Sequence, residues 1–108
     1  MIFTETKLHG SYTIELEPFT DERGWFARYF CMDEFSQIGH TNEWMQMNHS
    51  CTYKKGSLRG MHYQLPPFSE IKLVRCIAGT VFDVMVDLLK DSSTFLEWFG
   101  AELSSLNK

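Results

Sequence analysis

Apolar and polar residues alternate with a period of two along much of this chain, the pattern of strands whose successive side chains face opposite sides of a sheet. "YTIELEPF" (Tyr12 to Phe19) alternates, "TDERG" supplies turn residues, and "WFARYF" (Trp25 to Phe30) resumes as a strand, so this region predicts a hairpin. Met32 to Ile38 predicts a short helix ending before Gly39. Trp44 to Ser50 reads as a strand with Gln46, Asn48 and Ser50 on one face and Met45, Met47 and His49 on the other. Beyond the turn "YKKGS" come three strand candidates, Leu58 to Gln64, Ile71 to Ile77 and Thr80 to Leu88, joined by "LPPFSE" and "AGT". A final one spans Leu96 to Leu103. About seven short strands with turn signals at intervals of roughly 10 residues predict an all-β fold, an antiparallel sandwich or barrel. Repeats, low-complexity tracts and linkers are lacking, so residues 1–108 are expected to form a single domain.

Composition agrees with that picture. A length of 108 residues suits one core and is short for two. Aromatic residues make up 15%, nine of them Phe, which favours β-structure. Net charge is −4 and the ten Lys and Arg are dispersed, which excludes the basic footprint of a nucleic-acid or anionic-membrane binder. An anionic ligand would need a local site. Cys31, Cys51 and Cys76 are odd in number, far apart and without CxxC spacing, which argues against a disulfide framework or a zinc knuckle. They predict reduced thiols and a cytoplasmic protein. "MIFTETKLHG" has no apolar targeting core, and no run approaches the roughly 18 apolar residues of a membrane span, so no membrane association is expected.

Candidate chemistry lies where charges interrupt the strands. In "TVFDVMVDL" the parity rule puts Val81, Asp83, Met85 and Asp87 on one face, so two carboxylates share it with two apolar side chains. In "EIKLVRC", Lys72, Val74 and Cys76 oppose Ile71, Leu73 and Arg75. In "SLRGMHYQ", Arg59 and His62 are three apart and would face opposite ways in a regular strand. A bulge at Gly60 would add one residue to the count and turn both the same way. If Lys72 and Asp83 share that face, a barrel interior holds a histidine, two cations and an acid, which is costly unless a ligand or mutual pairing uses them. Plainer readings stand beside this one. His62 alone suits a hydrogen-bonded structural residue, Arg59 a structural partner for Asp83 or Asp87, Lys72 or Arg75 a solvent-facing charge, and Gln46 and Asn48 an exposed sheet face.

"FTDERGWF", "NHS", "KKGSLRGMHYQLPPFSEIKLVRCIAGTVFDVMVDL" and "SSTFLEW" together resemble the dTDP-4-dehydrorhamnose 3,5-epimerase family of the cupin superfamily, from about Phe19 to the end of the chain. The resemblance implies a cupin-type jelly-roll β-barrel and a homodimer whose N-terminal strands, here around "YTIELE", reach into the partner. It implies inversion at C3 and C5 of a dTDP-4-keto-6-deoxy sugar nucleotide in deoxysugar biosynthesis, with no metal or organic cofactor. By the same resemblance His62 is the general base, Lys72 the cation that stabilises the enolate, and Asp83 an active-site acid that holds its neighbours in place. Arg23 and Arg59 would meet the diphosphate, and Phe26, Gln46 and Asn48 the nucleotide and sugar.

Several positions depart from the family pattern. Arg28 in "GWFAR" stands where the family's "GxFxE" has a glutamate that helps hold the nucleotide. Leu89, Ser93 and Leu96 replace an arginine, a proline and a glycine. The 108 residues stop before the family's "PxGFAHGF" segment, before the tyrosine that reprotonates the sugar and before the aspartate that pairs with the base, so a C-terminally incomplete barrel is expected. The alternative function is a non-catalytic sugar-nucleotide-binding or structural cupin remnant. Many cupins hold a metal through His-x-His and a downstream glutamate; here the pattern reads His62, Tyr63, Gln64 and Glu70, and a single imidazole predicts no metal.

Overall fold

The computed structural model describes residues 1–107. Its regular elements are antiparallel strand pairs and one short helix. Strands β1 (Ile2–Glu5) and β2 (Tyr12–Glu15) pair with Phe3 opposite Ile14. The loop between them is closed by the Thr6 and Ser11 N–H groups, which donate to Ser11 and Leu8 carbonyls at 2.8 and 3.0 Å. Strands β3 (Phe19–Asp21) and β4 (Gly24–Phe26) form the hairpin, with Asp21 opposite Gly24. Gly24 takes φ +136°, a conformation that side-chain-bearing residues rarely adopt. Helix α1 spans Met32–Ser36, and β5 (Thr80–Val86) pairs with β6 (Trp98–Ser104) over seven residues.

The long β5–β6 ladder runs on past Val86. Asp87 N–H donates to the Glu97 carbonyl at 2.9 Å, and Leu96 N–H donates to the Asp87 carbonyl at 2.8 Å. The Asp87 carboxylate then organises the connecting loop by accepting from Leu89 N–H and the Thr94 hydroxyl, both at 2.8 Å. Ser92, Leu89 and Thr94 hydrogen bonds hold its carboxyl below the usual carboxylate range. At Gly100 a Cβ would stand 2.5 Å from the Phe82 ring, so the aromatic side chain occupies the space a larger residue would need.

Close contacts divide the chain into two units, one running from the start to Thr41 and again from Arg75 onward, the other from Asn42 to Val74. The first carries the buried core. Phe35 on α1 is 2% exposed and Leu8 is 4% exposed. Phe3 meets Phe35 edge to face at 5.3 Å, and Phe30 lies against it at 5.1 Å. Arg75, which the sequence left open as a solvent-facing charge, stacks over the Tyr29 ring at 5.1 Å.

The structure departs from the expected strands in definite places. The expected strand from Tyr12 to Phe19 is divided: β2 ends at Glu15, and Pro18, which has no N–H to donate, precedes β3. Ile2–Glu5 is a strand the sequence did not signal, because four residues are too few to show a period. Trp44 to Ser50, Leu58 to Gln64 and Ile71 to Ile77 lie outside any ladder. Their alternation suits a sheet, but a strand also needs a neighbour to pair with, and none of these segments pairs with another among the described residues.

Candidate active site

The unit from Asn42 to Val74 contains an open cavity of about 270 Å³ lined by His62, Tyr63, Gln64, Ser69, Glu70 and Lys72. Sequence chemistry explains how its two arms meet. Leu65-Pro66-Pro67-Phe68 forms a turn in which Phe68 N–H donates to the Leu65 carbonyl at 2.9 Å. That reversal brings the arm of His62 to Gln64 beside the arm of Ser69 to Lys72. The base and cation named from the sequence thus line one cavity, ten positions apart in the chain. Lys72 Nζ stands 3.1 Å from Glu70 Oε1, and both side chains keep partial solvent contact.

Arg59 belongs to the same unit but does not line the cavity; its Nη2 donates to the Cys51 carbonyl at 3.4 Å. Gly60, between Arg59 and His62, takes φ +121°. The expected ladder bulge has no ladder here to interrupt, yet the backbone does turn at this glycine as only a residue without Cβ readily does. Gln46 and Asn48 are exposed in the stretch between Thr41 and Tyr53, outside regular structure.

Arg23, Phe26 and Asp83 belong to the other unit. Arg23 occupies the β3–β4 turn, where its backbone N–H donates to Asp21 Oδ1 at 2.9 Å and its Nε and Nη2 donate to Asp21 Oδ2 at 3.1 and 2.5 Å. The Arg23 side-chain bonds, helped by its backbone N–H, hold the Asp21 carboxyl below the usual range. A guanidinium fork is therefore presented at a turn, already oriented by a carboxylate. Phe26 stands opposite Phe19 and is 76% exposed. Asp83 is half-buried on β5 opposite Ala101. Arg28 donates to Glu34 Oε1 at 2.7 Å, and Glu34 Oε2 also accepts from the Met1 ammonium at 2.7 Å. Those two cations hold the Glu34 carboxyl down, and the Glu34 bond raises the Arg28 guanidinium further.

In the sequence, Tyr63, Gln64 and Glu70 enter only through the metal pattern weighed above, and Ser69 is not singled out; all four line the cavity. For Glu70 a signal existed: it lies two positions before Lys72, the spacing that puts two side chains on one side of an extended chain. Among the described residues no group of three or more His, Cys, Asp and Glu side chains converges to hold a metal ion. No helix there is long and apolar enough to cross a membrane.

Antiparallel pairing with one short helix among the described residues defines a β protein, in which a histidine and a lysine line one cavity. Solved structures make the class specific. The chain superposes with a TM-score of 0.92 on the 1.63 Å crystal structure of dTDP-4-dehydrorhamnose 3,5-epimerase from Bacillus anthracis with TDP and PPi bound, at 35% identity over 98% of this chain and 61% of that one. The Elizabethkingia anophelis enzyme of the same name gives 0.91 at 39% identity over 99% and 58%. The fold is the antiparallel jelly roll of the cupins, of which the chain forms part. The family model described as dTDP-4-dehydrorhamnose 3,5-epimerase matches residues 5–108, and the chain belongs to that family. Among curated relatives, the dTDP-4-dehydrorhamnose 3,5-epimerase of Shigella flexneri is 46% identical over 105 residues, and that of Salmonella typhimurium 42% over 109. The chain spans 58% and 59% of the lengths of those two relatives.

Proposed function

We propose that the chain acts on a dTDP-4-keto-6-deoxyhexose and carries the proton-abstracting half of a 3,5-epimerase site. The observation that carries this reading is the pairing of His62 with Lys72 on one cavity in a chain of this family. A C–H bond next to the C4 ketone is acidified because the electron pair left behind moves onto the ketone oxygen. The His62 imidazole takes the proton from C3 or C5, and the Lys72 ammonium donates a hydrogen bond to the enolate oxygen that results. Return of a proton to the opposite face of the same carbon restores the ketone and inverts the centre.

Arg23 and Arg59 would bind the diphosphate, with Phe26, Gln46 and Asn48 against the nucleotide and sugar. Asp83 would hold neighbouring cationic groups in place. The TDP and PPi in the Bacillus anthracis structure support a diphosphate-binding role for this fold. The same reading makes the protein cytoplasmic and homodimeric, with β1 and β2 reaching across to the partner. Exposed apolar side chains such as Met45, Met47 and Leu58 are in keeping with surface that an assembly covers.

Proton NMR of dTDP-4-keto-6-deoxyglucose in D₂O tests the proposal. The H3 and H5 signals should fade with the chain present and persist with His62→Asn. Equal fading with the variant would take the base role from His62, and no fading with either would leave a sugar-nucleotide-binding protein without catalysis.

A further inference from the structure

Among the described residues, Glu70 is the one anionic side chain lining the cavity that holds His62 and Lys72. Its Oε1 lies 3.1 Å from Lys72 Nζ, within ion-pair distance. Lysine is a poor tool for stabilising an enolate unless something restrains it, since its ammonium rides on a flexible four-carbon stem. No backbone ladder runs through Ile71 to Ile77 to stiffen this arm. The carboxylate two residues earlier is the group placed to do so.

We propose that Glu70 is a positioning residue for Lys72, tethering the ammonium at the cavity it shares with His62; its kinetic consequence rests on the epimerase reading above. An ammonium has three donors. One N–H stays on Glu70 while another meets the ketone oxygen as it gains charge, so the tether need not break during the reaction. Glu70 touches no reacting atom and exchanges no proton. Without it Lys72 samples many rotamers, of which few point into the cavity, and the cost falls on the chemical step more than on binding, which the arginines dominate.

Two measurements on the full chain test this. ¹⁵N relaxation of the lysine ammonium groups should show Lys72 more ordered than Lys54 and Lys55, with that ordering lost in Glu70→Ala. Deuterium exchange into the keto sugar should then slow about tenfold in kcat with KM changed less than about twofold. Glu70→Gln, which keeps an acceptor but weakens the bond, should recover part of both effects. Lys72 equally ordered in wild type and Glu70→Ala overturns the tether, and lost ordering with unchanged kcat overturns the positioning role. If the wild type orders Lys72 but exchanges no proton, the epimerase reading fails while the relaxation data uphold the tether.

Discussion

Replacing Phe35 by alanine probes the most deeply buried side chain among the described residues. The residue is 2% exposed, its ring packed edge to face on Phe3 at 5.3 Å and against Phe30 at 5.1 Å, with His40 at 5.9 Å. An aromatic side chain buries about 150–250 Å², which at about 25 cal/mol per Å² is roughly 4–6 kcal/mol as an upper bound. Alanine keeps the Cβ but leaves a cavity, and measured Phe→Ala losses of about 3–5 kcal/mol set the expected magnitude. Helix α1 has five residues, too few to persist without packing, so it should melt with the loss of the ring. Among the described residues Leu8 and Phe35 are the buried apolar side chains of the core, so little else compensates. Against a typical domain stability of about 5–15 kcal/mol the variant should be largely unfolded at moderate urea. Urea titration followed by circular dichroism is the assay, with Phe35→Leu losing less. A loss under about 1 kcal/mol for Phe35→Ala would refute the claim that this aromatic cluster is the core.

Arg59→Ala should weaken dTDP binding by about 2 kcal/mol, near thirtyfold, as loss of a charge-assisted contact does, and calorimetry showing equal affinity would remove Arg59 from the site. Stability should fall in acid. The Glu5, Asp21, Glu34 and Asp87 carboxyls all sit below their ordinary values of 4.5 for Glu and 3.8 for Asp when folded. The unfolded chain therefore binds more protons between the two values, so this stabilisation is complete above about pH 4.5 and is lost as pH falls through the folded values. A melting temperature that is flat from pH 6 to pH 3 would contradict it.

Much of the fold was legible because local pattern and local pairing coincide. "TDERG" predicts a reversal, and the structure forms a hairpin there, with Asp21 opposite Gly24. The helix signal from Met32 to Ile38 yields Met32–Ser36, and the signals at Thr80 and Leu96 yield β5 and β6. β6 starts later than expected because Leu96 takes φ +67° and turns into the loop that Asp87 anchors. Alternation failed where pairing is not local. Met45 and Met47 show a clear period of two yet are 87% and 86% exposed, since the pattern records which side chains suit a sheet and not which strand lies alongside. At the site, His62 and Lys72 were legible as types and Glu70 as the neighbour two positions before Lys72, but the meeting of the two arms on one cavity depends on the Leu65–Phe68 turn.

Solvent-exchange rates for four proteins test the shared role of His62 and Lys72 most directly: wild type, His62→Asn, Lys72→Met and the double variant, each with the keto sugar nucleotide in D₂O. A general base and an electrostatic stabiliser are each worth about 10²-fold or more. Groups that serve one step are strongly non-additive, so the double variant should be no slower than His62→Asn alone. Losses that multiply across the two sites would contradict a single proton-abstraction step in which His62 takes the proton and Lys72 holds the enolate.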